Sequence, residues 1–256
     1  MEVEFGTVVR SDSPPTEGGR SSPRSLSIVI PAYNEERRLP ETLARVHDFL
    51  VRQCYDAEII VVDDGSRDGT SEKVATLMDQ MPLLRLRTLA KNSGKDCAVV
   101  SGIQMSSRES VLFTDADLST PIEEIERLWK KYDRGYDVVI GSRRLPDSII
   151  PVRQPLHRRA MGHVFTGMVS LFCLRGIRDT QCGFKLFRTE AIRQVIPLLR
   201  TRGFAFDVEI LMRARALGFR IAEVGVRWSD AAGSQIRPFK HSSRMFLQLL
   251  RMRGLI

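Results

Sequence analysis

Asp115-Ala116-Asp117 places two carboxylates one residue apart, directly after the apolar run Ser110–Thr114. Carboxylates so spaced at a strand end can converge on one hard divalent cation. Magnesium takes few protein carboxylates and fills its shell with water and phosphate oxygens, so the pair suits a metal-bound diphosphate better than a closed structural site. Taken alone, the triplet serves equally well as a helix cap in a solvated loop. The stretch Asp63-Asp64-Gly65-Ser66-Arg67-Asp68-Gly69-Thr70 is acidic too, with the Asp and Gly content of an ordinary turn. Tyr33-Asn34-Glu35 follows Pro31, and Asn92-Ser93-Gly94-Lys95 leads into a helical pattern. Arg143, Arg144, Arg153, Arg158 and Arg159 are the main phosphate candidates, since a guanidinium meets phosphate bidentately. Each of these arginines also fits a solvated basic face.

The elements that must carry these residues decide between the two readings. Residues 26–30 (LSIVI) form a continuous apolar run of the kind found in buried parallel strands. Pro40 opens a helical pattern with Leu43, Val46 and Leu50 on one face. Strands at 58–63 and 84–89 flank a helix at 71–81; a helix from 95 to about 105 then precedes the strand Ser110–Thr114. Thr120-Pro121-Ile122-Glu123 has the form of a capping box for a helix reaching Lys131, and 136–140 is a further strand. Strands alternating with helices of this length predict an α/β fold with a doubly wound, mostly parallel sheet. In such sheets ligands sit at the carboxyl ends of the strands. The polar clusters fall there: 31–36 after the first strand, 63–68 after the second, 115–117 after the fourth. The joint placement favours a site over a set of unrelated turns.

Beyond Gly141 the texture changes. Residues 153–159 are basic, and 163–174 (HVFTGMVSLFCL) are apolar but too short to span a bilayer. A loop at 180–187 enters a strand, followed by a helix capped by Thr189; a helix at 204–218 and a strand at 220–228 come next. The pattern at 241–253 predicts an amphipathic basic helix. The expected organisation is a disordered polar arm at 1–24, one domain at 25–235 and a basic helix at 236–256.

The composition excludes several classes. With 256 residues, 43% hydrophobic and 27% charged, the chain is globular rather than disordered. No run of 18 apolar residues occurs, and the polar start lacks the apolar stretch of a secretory signal, which predicts an intracellular protein. Lysine plus arginine is 39 against 31 acidic residues, and only 7 of the 39 are lysine. That surplus suits nucleic acid, anionic lipid or phosphate-bearing substrates, although a GC-rich coding sequence also inflates arginine. Cys54, Cys97, Cys173 and Cys182 have no CxxC spacing and read as free or buried thiols.

Pro31-Ala32-Tyr33-Asn34-Glu35, Asp63-Asp64-Gly65-Ser66, Asp115-Ala116-Asp117 and Gly141-Ser142-Arg143 together resemble glycosyltransferase family 2, in its polyprenyl-phosphate branch. The blocks 176–187 (GIRDTQCGFKLF), 204–209 (FAFDVE) and 226–230 (VRWSD), with Gly233-Ser234, are similar to dolichyl-phosphate beta-glucosyltransferases. The resemblance runs from about residue 26 to 253. It implies a GT-A fold and transfer of glucose from UDP-glucose to a dolichyl or undecaprenyl phosphate, with inversion. By it, Pro31, Tyr33, Glu35, Asp63, Asp64 and Asp115 hold the nucleoside diphosphate, with Lys95 and Ala116 beside them. Asp115 and Asp117 contact Mg2+ or Mn2+. Arg143 meets the acceptor phosphate, together with an arginine of the 153–159 segment, Arg159 being the choice over Arg158 and Arg153.

The sequence also departs from the family pattern. Gln235 stands where a basic residue usually follows Gly-Ser, with Arg237 two residues on, and Asp96 stands where Gly often follows Gly-Lys. Neither an N-terminal membrane anchor nor C-terminal spans are seen. A lipid acceptor therefore predicts reversible docking at the cytoplasmic face of a membrane through 163–174 and 241–253, with no nucleic-acid partner. Three other readings are weighed against this one. A sibling transferase would use GlcNAc, mannose or a soluble acceptor. A sugar-nucleotide pyrophosphorylase needs a Gly-rich loop where this chain has Pro31 to Glu35. A non-catalytic nucleotide-binding protein would tolerate loss of the metal carboxylates, and both are present.

Overall fold

The computed structural model describes residues 23–151, 174, 176–201 and 203–229. Seven strands, β1 (Ser25–Ala32), β2 (Asp56–Asp63), β3 (Leu84–Thr88), β4 (Ser110–Thr114), β5 (Val138–Ser142), β6 (Phe184–Arg188) and β7 (Ile221–Gly225), form one sheet. Their order is β3-β2-β1-β4-β6-β5-β7.

The apolar runs are unbroken because both faces of the sheet are covered. In β1, Leu26, Ile28 and Ile30 enter one core while Val29 enters the other; in β2, Ile59 and Val61 oppose Ile60 and Val62 in the same way. Helices α1 (Leu39–Arg52), α2 (Thr70–Met78) and α4 (Ile125–Tyr132) cover the first face. Helices α3 (Lys95–Met105), α5 (Thr189–Val195) and α6 (Phe206–Ala216) cover the second. Strands buried on both faces lose the polar alternation that a half-exposed strand keeps.

Local details differ from the sequence expectations. Helix α1 has the expected proline in its first turn. The capping box at Thr120 does not form: a 3-10 turn, Ile122–Glu124, precedes α4, and its N-cap position is Pro121 with no side-chain bond. Thr189 opens α5 but does not cap it. Its hydroxyl donates to the carbonyl of Arg108 at 2.6 Å, so it ties the helix to the chain before β4 instead. Helix α6 is preceded by a 3-10 turn, Gly203–Ala205, and starts two residues later than expected.

Among the described strands β6 alone runs antiparallel, pairing with β4 on one side and β5 on the other. This arrangement places the chain between β5 and β6. Strand β5 ends at the carboxyl edge of the sheet, and an antiparallel β6 must begin at that same edge. Thr114 of β4 lies opposite Phe184 of β6, so Asp115 emerges beside Gly183. The chain order reverses between β1 and β4, the place where a crevice opens in a doubly wound sheet.

The segments 163–174 and 241–253 lie outside the described residues apart from Leu174, as do Arg153, Arg158, Arg159, Gln235 and Arg237. Among the described residues no helix is long and apolar enough to cross a membrane.

Candidate active site at the carboxyl edge of the sheet

The loops after β1, β2, β3 and β4 meet at this edge, and much of the site's polar chemistry first serves to fasten them to one another. After β1, Asn34 takes a left-handed conformation (φ 55°). Its backbone N–H donates to Ser66 Oγ at 2.9 Å, and its Oδ1 accepts from the Arg67 N–H at 2.9 Å. Asp63, at the end of β2, accepts from the Ser66 N–H at 3.1 Å, from the Ser66 hydroxyl, and from Ser71 Oγ at 2.5 Å. Asp64 accepts the Ser93 and Gly94 N–H groups at 2.7 and 2.9 Å, drawing the loop before α3 toward β2. Gly65 fits only because it is glycine. At φ 67° a Cβ would stand 2.5 Å from the backbone carbon of Lys91.

Pro31 lies within β1, paired with Val62, and Tyr33 is exposed at its end. Glu35 forms a two-pronged pair with Arg38 at 2.7 and 2.8 Å. That bond raises the Arg38 pKa against the opposing effect of desolvation, with Glu35 and Asp117 as the nearby charges.

The Asp115–Asp117 loop is held from three sides. Thr42 of α1 donates to the Ala116 carbonyl at 2.7 Å, and Asp117 Oδ1 accepts the Ser119 N–H at 2.9 Å. The Ser119 carbonyl accepts from the Ser229 N–H at 2.8 Å, beyond the end of β7. Leu118 turns the chain at φ 45°. Asp115 lies flat against Gly183: a Cβ on that glycine would come within 2.0 Å of Asp115 Oδ2. A side chain at 183 and a carboxylate at 115 thus exclude each other.

Lys95 Nζ stands 2.5 Å from Asp115 Oδ1 and 5.0 Å from the centre of the Phe113 ring. Desolvation disfavours the ammonium, but Asp115, Asp207 and Asp117 outweigh it, and the Lys95 pKa is raised. Lys185, which is wholly buried, also lies near this ring, 5.5 Å from its centre. It donates to the Cys182 carbonyl at 2.7 Å and to Asp207 Oδ1 at 2.5 Å. A buried ammonium is tolerated only when it is paired and hydrogen-bonded, and Lys185 is both.

Arg143, one residue past β5, is paired with the buried Asp179, which accepts three hydrogen bonds from it. Burial pushes the Asp179 carboxyl up, yet the Arg143 charge and hydrogen bonds prevail and hold it below its ordinary value. The Arg143 pKa is raised by the same pairing, against its own desolvation. Beside them the Cys182 thiol is pushed up to about 12 by burial and by the Asp179 charge.

The structure therefore brings Pro31, Tyr33, Glu35, Asp63, Asp64, Lys95, Asp115, Ala116, Asp117 and Arg143 to one edge of the sheet. Arg159 lies outside the described residues. Sequence reasoning gave no role to Asp179, Gly183, Lys185 or Asp207. All four sit in the blocks 176–187 and 204–209: Asp179 meets Arg143, Gly183 meets Asp115, and Lys185 meets Asp207.

The arrangement can hold a cation between two loop carboxylates and an anion near Arg143. Among the described residues no three His, Cys, Asp or Glu side chains converge as a metal cage, so the protein offers a pair rather than a closed set. The bare Gly183 makes room for the Asp115 carboxylate, whose side chain is 35% exposed.

The family model described as Glycosyl transferase family 2 matches residues 27–196. A dolichyl-phosphate beta-glucosyltransferase of Dictyostelium discoideum is 39% identical over 242 residues, covering 89% of this chain and 73% of that protein. The Homo sapiens protein of the same name is 36% identical over 247 residues, covering 91% and 76%. Among solved structures, the Mycobacterium tuberculosis glucosyl-3-phosphoglycerate synthase, in complex with Mn2+, UDP-glucose and phosphoglyceric acid, superposes with a TM-score of 0.65. It is 19% identical and covers 90% of this chain and 80% of that one. The fold is GT-A.

Proposed function

The chain belongs to glycosyl transferase family 2, and from that membership we propose that it moves glucose from UDP-glucose to a polyprenyl phosphate, dolichyl or undecaprenyl, with inversion at the sugar carbon. The observation that carries the reading is the meeting of a carboxylate pair, Asp115 and Asp117, with a fixed guanidinium, Arg143, at one edge of the sheet. The names of the relatives at 36–39% identity support the sugar and the class of acceptor.

Asp115 and Asp117 are the residues that would hold Mg2+ or Mn2+. Two carboxylates fit an ion whose remaining ligands are water and diphosphate oxygens, and the Asp115 side chain is part-exposed. Such an ion, when bound, neutralises charge that develops on the departing UDP. The protein's own residues do the rest. Pro31, Tyr33, Glu35, Asp63 and Asp64 border the nucleoside, with Asp63 and Asp64 also keeping the loops in register. Lys95 supplies a fixed positive charge next to the leaving group.

The acceptor oxygen belongs to a phosphate already ionised near neutral pH, so its deprotonation is no obstacle. Positioning by Arg143 and Arg159 takes the place of a general base. A lipid acceptor further requires that the protein work at a membrane surface, which we assign to the cytoplasmic face and to peripheral contact through 163–174 and 241–253.

The decisive experiment offers a panel of nucleotide sugars to the purified protein with undecaprenyl and dolichyl phosphates, and reads the product by mass, with and without EDTA. Transfer of glucose from UDP-glucose to a polyprenyl phosphate, lost in EDTA, is the expected result. Transfer of another sugar, use of a soluble acceptor alone, or undiminished turnover in EDTA would overturn the corresponding part. Sedimentation with phosphatidylglycerol vesicles tests the membrane contact, since binding should weaken as salt screens the basic residues.

A further inference from the structure

We propose that Asp179 is the residue that positions Arg143 for the acceptor phosphate. This inference rests on the acceptor role given to Arg143 above.

The geometry is specific. Asp179 Oδ2 accepts both the backbone N–H of Arg143, at 2.9 Å, and its Nε–H, at 2.7 Å, while Oδ1 accepts from Nη2 at 2.8 Å. One carboxylate thus fixes the backbone and the side chain of the same arginine. Asp179 is 2% exposed, whereas the Arg143 side chain keeps 25% of its surface. The guanidinium also lies over the Trp228 ring, 5.4 Å from its centre. Two contacts at different angles leave it one orientation.

Asp179 is itself anchored to the sheet. Glu223 of β7 accepts the Asp179 N–H at 2.7 Å through Oε1 and the Arg178 N–H at 3.0 Å through Oε2. Strand β7 pairs in parallel with β5, with Ile140 opposite Glu223 and Ser142 opposite Gly225. The arginine and the carboxylate that aims it therefore hang from adjacent strands, so neither can shift without the other.

A consequence follows for how the anion is met. The side-on fork of the guanidinium, Nε with Nη2, is occupied by Asp179. A phosphate then approaches the outer edge, made by Nη1 and the second Nη2 hydrogen. Arginine left to itself would offer either edge. Asp179 selects one. Its place in a loop rather than at a strand end hid this role from the sequence pattern.

The test is a double-mutant cycle on Asp179→Asn and Arg143→Ala, using farnesyl phosphate as the soluble probe acceptor. Asp179→Asn should raise the acceptor KM by about tenfold or more, the effect of a misplaced charge-assisted bond. The KM for UDP-glucose and the affinity for UDP should stay unchanged, a split that a general loosening of the fold would not produce. In the Arg143→Ala background, Asp179→Asn should add nothing to the acceptor KM. Because Arg143→Ala strands a buried carboxylate, Arg143→Gln, which keeps a donor toward Asp179, replaces it if UDP binding shows loss of fold. Independent, additive effects of the two substitutions overturn the positioning role alone. An acceptor KM untouched by Arg143→Ala or Arg143→Gln overturns the acceptor role of Arg143, and the positioning role with it.

Discussion

Lys95 and Asp115 share one short ion pair, with Nζ 2.5 Å from Oδ1, at the carboxylate to which we assign the metal. A divalent cation at Asp115 and the ammonium of Lys95 want the same oxygen. Lys95→Met should therefore tighten Mn2+ binding in the absence of nucleotide, several-fold by electron paramagnetic resonance titration. The same substitution should weaken UDP binding in EDTA, because the charge next to the diphosphate is gone. The two effects have opposite signs. Weaker binding of both ligands would mean that Lys95 supports the loop rather than competing with the ion.

Asp117→Asn should nearly abolish transfer while the thermal midpoint stays close to that of the parent, since Asp117 is bonded within its own loop through Ser119. Full activity in this variant would remove Asp117 from the metal.

Gly183→Ala tests the close approach of β6 to Asp115. The added methyl would lie 2.0 Å from the carboxylate, so Asp115 must turn away or the strand must shift. Overpacking of this kind costs about 1–3 kcal/mol. Both a lower urea midpoint and loss of Mn2+ binding are expected. Retained Mn2+ binding would show that Asp115 is not where the ion sits.

Glu58 sets an acid limit on stability. It accepts from Ser27 Oγ at 2.7 Å, from the Ser107 N–H at 2.6 Å and from Arg85 at 2.5 Å. Burial raises its pKa, but these bonds together hold it below the ordinary glutamate value. A carboxyl depressed in the folded state contributes stability that is present above about 4.5 and is lost as pH falls through the folded value. Glu58→Gln should lower stability at pH 7 by about 1–3 kcal/mol and flatten the acid limb, read by urea titrations from neutral pH downward. A parallel acid limb in the variant would exclude Glu58 as a source of it.

Cys182 should resist alkylation at pH 8, because its thiol is pushed up to about 12 and is buried. Cys54 is exposed and should react readily. Peptide mapping after iodoacetamide treatment gives the comparison residue by residue; modification of Cys182 in the native protein would contradict its burial.

The strand and helix alternation up to residue 142 was readable because each strand is buried on both faces and ends in polar loop residues. Ile28, Ile60 and Leu112 announce their strands by apolar neighbours alone. Positions of the site residues followed from the same rule, since a doubly wound sheet gathers its loops at one edge. The antiparallel direction of β6 was not readable. Phe184 and Leu186 have the same apolar character whichever way the strand runs, and direction depends on where the preceding chain returns. The roles of Lys185 and Asp207 were hidden for a related reason: a lone lysine in a strand looks like an edge residue until its partner on another element is known. The Thr189 cap fails because its hydroxyl goes to the Arg108 carbonyl, and the Thr120 cap because Pro121 takes the N-cap position of the 3-10 turn that follows.

Strands β5 and β6 are antiparallel neighbours, so the chain that leaves Ser142 comes back at Phe184 one strand away. The distance between those exits is set by backbone pairing and not by whatever the intervening residues form. Lengthening a connection with fixed ends adds little to its entropic cost, which grows only with the logarithm of its length. A molecule built this way can take a longer or shorter connection there, provided that its last residue before β6 stays small enough for the Asp115 carboxylate that lies against it.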